Sequence, residues 1–486
     1  MKMKSIKITL TTGLLFIMAF SSCKKEFLDL KPYNALPLQD ALKSEADLVT
    51  ALNGMYAGLR STSLYGRLLP VKGDLMADNI YVRAANSGRF LDLNDYNIIG
   101  TSTTAGDLWG AAYIVIKNAN TIINSPITGN ANINQFKGEA LAVRALVYFE
   151  LVRNFAKPYT VDPNGLGVPL ITTFDQNLLP ARNTIQEVYK LITDDLAQAY
   201  SLMTFNLNGS MPITGGTTRA LNSSFMTKYA ARALQAKVYM HMGDWNNAKT
   251  AALDVVQNSG VTLVSNAAYI GYWRNPSPLT SRVETLFEIT NDVANNTGTN
   301  ALAYMYDQAG YGDLLATNDL VSKYRTGDVR LGLIITTTTS TTTTHVVNKY
   351  SNTSNASEKD DIKVLRYSDV LLILAEAYAR TNDEPNARLR LNQLAQNREP
   401  AFAGYTSTGT QLINDIILER RKELAFEGDR FYDLQRLNLP IVKVRRENPN
   451  TVINVAADDF RRIFPIPQGE RDVNPNIRSQ QNPGYQ

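Results

Sequence analysis

From Leu38 to Ser63 apolar residues recur at three- and four-residue steps, which lines one face of an α-helix with hydrophobic side chains. The same period predicts helices over Leu108–Asn124, Gln135–Phe155 and Ile185–Met203. The second of these should stop ahead of Pro158, and the third should open at Asn183 and Thr184, whose side chains suit an N-cap. Two further stretches carry a paired pattern. In ALQAKVYMHMGDWNNAKTAALDVV (Ala233–Val256) the residues Ala236, Tyr239, Gly243, Asp244, Trp245 and Ala248 have tetratricopeptide spacing. Small residues there let two helices approach, and the rings fill the gap between them. ILAEAYARTNDEPNARLRLNQL (Ile373–Leu394) repeats the pattern with Ala375, Tyr378, Asp383 and Ala387, and Ala145 and Tyr148 are a weaker echo. The spacing between copies is uneven, which argues against a regular solenoid and for helix pairs supporting one large domain. Helix is also expected over Leu365–Asn397 and Gln411–Leu437.

Between these helices the pattern changes. Residues 205–222 and 259–350 are rich in Gly, Asn, Thr and Tyr, with short strand-like pieces such as TLFEIT (Thr285–Thr290). The tract IITTTTSTTTTHVVNKY (Ile334–Tyr350) reads equally as an exposed hairpin or a mobile loop. Roughly the last thirty residues, rich in Pro and Asn, predict irregular structure. The expected fold is mainly α, with helix pairs as scaffold, long loops and a few short strands.

Residues 1–22 have the three parts of an export leader. Lys2, Lys4 and Lys7 form its positive end, ITLTTGLLFIMAF its apolar middle, and Ser21 and Ser22 the small residues before a cut. The apolar part is too short and too rich in Thr and Gly to span a bilayer. With Cys23 it resembles a bacterial lipobox, although Phe20 stands where Leu or Val is usual. That resemblance implies cleavage before Cys23 and lipidation of it, with Lys24, Lys25 and Glu26 as the start of a solvated tether.

Composition adds mainly exclusions. Of 486 residues 44% are hydrophobic and 19% charged, ordinary for a globular protein. The net charge of +4 falls close to zero without the leader's lysines, and no basic stripe interleaved with aromatics marks a nucleic-acid surface. Cys23 is the only cysteine, so there is no internal disulfide, and His241 and His345 are the only histidines. Little room is left for zinc or cysteine-nucleophile chemistry. No phosphate-binding loop, zinc-hydrolase, serine-hydrolase or calcium-loop motif is found, so no cofactor is expected.

Several segments together carry a family likeness. RYSDVLLILAEAYAR (Arg366–Arg380), ILERRKELAFEGDRFYDLQRL (Ile417–Leu437) and IFPIPQGERDVNPNIRSQQNPGY (Ile463–Tyr485) resemble the C-terminal signatures of the SusD/RagB family. EFLDLKP after Cys23, GDLMADN (Gly73–Asn79) and LWGAAYIVIKNANTII resemble its N-terminal half. The resemblance implies a lipoprotein on the outer face of the outer membrane that passes nutrient glycans to a TonB-dependent, SusC-like transporter without catalysis. It divides the chain into a leader (1–22), an N-terminal half (23–215) and a C-terminal half (216–486) forming one compact unit. A peptide or other non-sugar nutrient, a surface enzyme, and a structural partner of the transporter remain as alternatives.

The candidate residues follow from what a sugar needs. Its apolar C–H face meets a flat aromatic ring, and its hydroxyls meet amides, carboxylates or guanidiniums. Trp109 and Trp245 lie at helix packing positions and are expected in the core. Trp273 lies in YIGYWRNPSP beside Tyr272, outside any convincing helix, and is a ligand candidate. Tyr306 and Tyr311, with Tyr304 beside them, share that loop-rich region. Asn86, Arg89 and Tyr96 lie in a polar segment from which members of the family often contact their ligands. Glu419, Glu423 and Glu427 share one helix face, but Arg420, Arg421 and Lys422 at three-residue offsets point to charge pairing. The adjacent pairs Asp194–Asp195, Asp360–Asp361 and Asp458–Asp459 are expected as caps or solvated ends.

Overall fold

The computed structural model describes residues 42–173, 175, 177–206, 209–274, 281–340, 342–353, 360–446 and 451–486. The leader and Cys23 lie outside them. Helix α1 (Glu45–Leu59) opens on a capping box between Ser44 and Asp47 and buries Leu48, Leu52, Met55 and Leu59. The short helix α2 (Leu68–Leu75) is buried throughout. α3 (Thr103–Ile123) starts earlier than the period predicts. α4 (Ala131–Phe155) is capped by Asn130, and α5 (Ile185–Leu202) by Thr184 with Glu187 closing the box.

Both predicted hairpins form. α6 (Lys228–Met242) ends at Gly243 with φ +72°, the left-handed turn that suits glycine. Asp244 then caps α7 (Trp245–Asn258). Short helix α8 (Tyr269–Arg274) and one-turn α9 (Leu302–Tyr306) follow. α10 (Tyr367–Arg380) and α11 (Glu384–Arg398) turn at Asn382, φ +61°, and form the second predicted pair within the helical stretch expected over Leu365–Asn397. The run expected over Gln411–Leu437 also divides, into α12 (Gly409–Glu423) and α13 (Arg430–Arg436). Phe426 and Gly428, φ +70° and +88°, form the break. From α3 to α7 each helix packs on the next, α7 packs on α10, and α10 on α11 and α12, so the hairpins build one continuous scaffold. Among the described residues no helix is long and apolar enough to cross a membrane.

The strands are short. β1 (Ile80–Val82), β5 (Leu314–Ala316), β6 (Ile334–Thr338) and β7 (Thr343–Val347) form an antiparallel sheet in the order β1-β5-β7-β6. The Thr-rich tract is therefore a hairpin. The others are two-stranded: β2 (Ser210–Ile213) with β3 (Thr217–Ala220), β4 (Thr285–Ile289) with β8 (Ile362–Arg366), and β9 (Ile441–Val444) with β10 (Val452–Val455).

Glu419 and Glu423 are buried on α12, Glu427 lies in the break beyond its end and so does not share their helix face, and all three are paired, though mostly not with helical neighbours. Glu419 meets Lys422 at 2.7 Å, as the spacing predicts. Glu423 instead receives Arg366, Arg398 and Arg330 from other elements at 2.8, 3.0 and 3.2 Å, and Glu427 receives Lys349 and Arg366 at 2.6 Å. Asp195 departs from the expected solvated end: it is buried and takes two hydrogen bonds from Arg144.

The C-terminal tail runs back over the N-terminal half. The Phe464 amide donates to Asn154 O at 2.7 Å, and Asn482 Nδ2 donates to Phe155 O at 2.8 Å. Arg182 donates to the carbonyls of Leu166, Gly167 and Gln480, and its own amide donates to Gln480 Oε1 at 2.7 Å.

Candidate functional site

Pairing of β1 with β5, Val82 opposite Leu314, brings the loop after β1 beside the loop before β5. Arg83 N donates to Asp313 O at 2.9 Å. Ser87 donates from its amide and its hydroxyl to the two oxygens of Asp313, at 2.7 and 2.6 Å. Asn86 locks the turn from within. Its Nδ2 donates to the carbonyls of Arg83 and Ala84, and its Oδ1 accepts from Gly88 N. Phe90 is held at φ +61°, a backbone region a bulky residue rarely occupies, and such strain concentrates where geometry serves a purpose.

This scaffolding presents Arg89 and Tyr311 to each other. The Arg89 guanidinium carbon lies 3.6 Å from the Tyr311 ring centroid, and Tyr311 remains 37% exposed. Arg67 reaches the same surface from the N-cap of α2, its guanidinium 5.7 Å from the Phe90 ring. Arg83 Nη1 donates to Gln308 Oε1 from the facing loop. A cleft of about 190 Å³ opens beside them, lined among others by Arg67, Arg89, Phe90, Asp92, Thr104 and Asp107. An exposed ring with guanidiniums, hydroxyls and carboxylates around it can receive the flat face and the hydroxyl rim of a saccharide.

Of the residues singled out from sequence, Arg89 and Tyr311 are brought together, and Asn86 shapes their loop without a spare amide hydrogen-bonding atom. The other four are corrected to the interior. Trp273, 2% exposed, stands edge-on to Tyr269, Tyr272 and Tyr350, with Lys349 Nζ 4.2 Å from its ring centroid. Tyr272 is buried with its hydroxyl 2.7 Å from Thr285 Oγ1, and Tyr306 is buried in a stack with Tyr350. Tyr96 is buried and donates to Met76 O. None of the four leaves a face for a ligand. Trp109 is buried as expected, and Trp245 is partly buried against the core. Sequence reasoning missed Arg67, Arg83 and Phe90. Arg83 and Phe90 flank the polar segment already singled out, whereas nothing local marks Arg67.

A larger groove of about 550 Å³ is lined by Tyr56, Arg60, Phe225, Glu288, Asp292 and Asp361, among others. Its polar groups serve the fold: Glu288 pairs with Lys363 at 3.3 Å, Asp361 accepts from Asn291 N at 2.8 Å, and Arg219 covers Phe225 at 3.8 Å. Among the described residues no group of three His, Cys, Asp or Glu side chains is arranged to hold a metal ion.

Two family models match this chain. One, described as the SusD family, matches residues 331–485; the other, described as starch-binding associating with outer membrane, matches residues 26–240. A SusD-like protein of Formosa agariphila is 26% identical, with 99% of this chain and 100% of the relative covered. A SusD superfamily protein from Bacteroides vulgatus superposes with a TM-score of 0.81 at 28% identity, covering 92% of this chain and 100% of its own. One from Bacteroides thetaiotaomicron gives 0.79 at 28% identity, covering 91% and 100%.

Proposed function

This chain is a SusD-like protein, and from that we propose that it captures nutrient glycans at the Arg89–Tyr311 surface for a TonB-dependent outer-membrane transporter. The observation that carries the reading is the stack itself: an exposed tyrosine on the loop before β5, braced by the guanidinium of a loop tied to it by three hydrogen bonds. The family description, starch-binding and associated with the outer membrane, supports a saccharide as the ligand class. One or two stacked rings contribute on the order of 1 kcal/mol each beyond area burial, which suits capture and release. A binder held beside its transporter gains from effective concentration what it lacks in affinity. Lipidated Cys23 supplies the tether, and the binding surface faces the cell exterior.

Tyr311→Ala tests the site. Calorimetry against a panel of polysaccharides and peptides is expected to show glycan binding weakened about tenfold in the variant, with an unchanged melting temperature. Binding to peptides alone would replace the ligand class, and parental glycan affinity in the variant would move the site elsewhere. Fractionation tests the anchor: Cys23→Ala is expected in the soluble fraction, and its retention with membranes would count against lipidation.

A further inference from the structure

We propose that the ligand of this surface is an anionic saccharide, one carrying carboxylate or sulfate groups, read by Arg67, Arg83 and Arg89. The inference rests on the glycan-binding reading above and narrows it to a substrate class.

Several interior arginines are matched to carboxylates: Arg330 to Asp328 and Glu419, Arg366 to Glu284, Glu423 and Glu427, Arg420 to Asp369 and Asp433, Arg436 to Glu376. Buried Arg182 and Arg462 donate to backbone carbonyls instead, and each uses three or more of them. On the Tyr311 surface the acceptors are neutral. Arg67 Nη1 donates to Asn300 Oδ1 at 2.7 Å, Arg83 Nη1 to Gln308 Oε1, and Arg89 Nη1 to Ser87 Oγ at 2.7 Å. Among the described residues none of the three has a carboxylate oxygen within 4.0 Å, the limit for an ion pair. A guanidinium has five N–H donors in a planar fork that matches a carboxylate or sulfate edge, so most of this donor capacity is uncommitted.

Three of the acidic side chains on this face are turned to other partners, and a fourth stands in the open cleft. Asp313 accepts from Ser87. Asp92 accepts from Leu93 N and Thr104 Oγ1, and Asp307 from Ala309 N and Thr353 Oγ1. Asp107 is exposed on α3, lining the cleft. Burial first, and the neighbouring Arg89 charge second, make the Arg67 cation less favourable than in water. Two like charges held side by side without a counter-charge cost free energy that an arriving anion returns. The exposed Tyr311 ring and the cleft-lining Phe90 ring select a ring-bearing anion over a bare ion.

The test is calorimetry of the purified full chain with polygalacturonate, a sulfated galactan and soluble starch at low ionic strength. One of the acidic polymers is expected to bind about tenfold or more tightly than starch, and to weaken as salt screens the arginines. Whichever binds identifies the anion as carboxylate or sulfate. Arg67→Gln and Arg89→Gln are each expected to remove about a factor of ten for the acidic polymer and to flatten its salt dependence. Arg89→Gln keeps the test sound should Arg67→Gln lose stability, because among the described residues its guanidinium bonds Ser87 Oγ and covers the Tyr311 ring, with no buried ion pair to break. Starch binding as tightly as either acidic polymer, or parental affinity in Arg89→Gln, overturns the charge inference and leaves the glycan reading intact. A folded protein that binds none of the three polymers overturns both.

Discussion

Gly73→Ala is expected to lower stability by about 3 kcal/mol or more. A Cβ on Gly73 would stand 1.8 Å from Gly428 O and 2.6 Å from Gly428 Cα. Both partners are backbone, so no rotamer change relieves the clash. The turn between α12 and α13 cannot retreat either, since Asp74 accepts from Gly428 N at 2.8 Å and from Asn79 Nδ2 at 2.6 Å. The control is Gly54→Ala on the solvent face of α1, where the new methyl meets nothing within 4 Å. It should raise stability by about 0.5–1 kcal/mol through better helix propensity. Urea midpoints measure both, and a parental midpoint for Gly73→Ala would mean that α2 and the turn separate at little cost.

Glu423→Gln should be comparably severe, at about 3–5 kcal/mol, because it removes the charge on which three buried arginines converge. Arg330, Lys349, Arg366, Arg398 and Lys422 would then face Glu284, Asp328, Glu419 and Glu427, five cations against four carboxylates, so the interior would hold surplus positive charge. Acid should mimic the substitution. Burial alone would push the Glu423 carboxyl up, but Arg398, Arg366 and Arg330 hold it well below the usual carboxylate range. Glu419 is likewise brought to about 2, against burial, by Arg330 and Lys422. A carboxyl depressed in the folded state contributes fully above its unfolded value, 4.5 here, and that contribution fades as pH falls toward the folded value. The parent should therefore lose stability steeply below about pH 4.5, and Glu423→Gln should show a shallower slope there. Equal slopes in denaturant midpoints against pH would remove Glu423 from the acid transition.

What could be read beforehand divides by distance along the chain. The long helices announced themselves through period and caps; Thr184 caps α5 as its side chain predicts, and the spacing from Ala236 to Ala248 marks the hairpin that turns at Gly243. Trp273 was misread because six-residue α8 has too few turns to show a period, and because its burial depends on Tyr350 and Lys349, far away in sequence. The charged helix was legible as structural, but offsets along α12 predicted only Glu419 with Lys422; Arg330, Arg366 and Arg398 arrive from elsewhere. Arg89 and Tyr311 were each plausible alone. Their meeting depends on three-residue strands β1 and β5 pairing across about half the chain, and strands so short leave no pattern to find.

The seam between the tail and Arg182 sets the terms on which the chain folds. Hydrogen bonds there join residues 298 and 327 positions apart. Closing a loop of that length costs about 5 kcal/mol of chain entropy before any contact repays it. Such far-flung contacts slow the search for the native state. Phe155 O accepts from both Arg182 and Asn482, Leu166 O accepts from Arg182, and Gln480 O accepts from Arg182 in turn. The polar groups at the end of α4 and around Arg182 are therefore completed only when the last residues of the chain are in place.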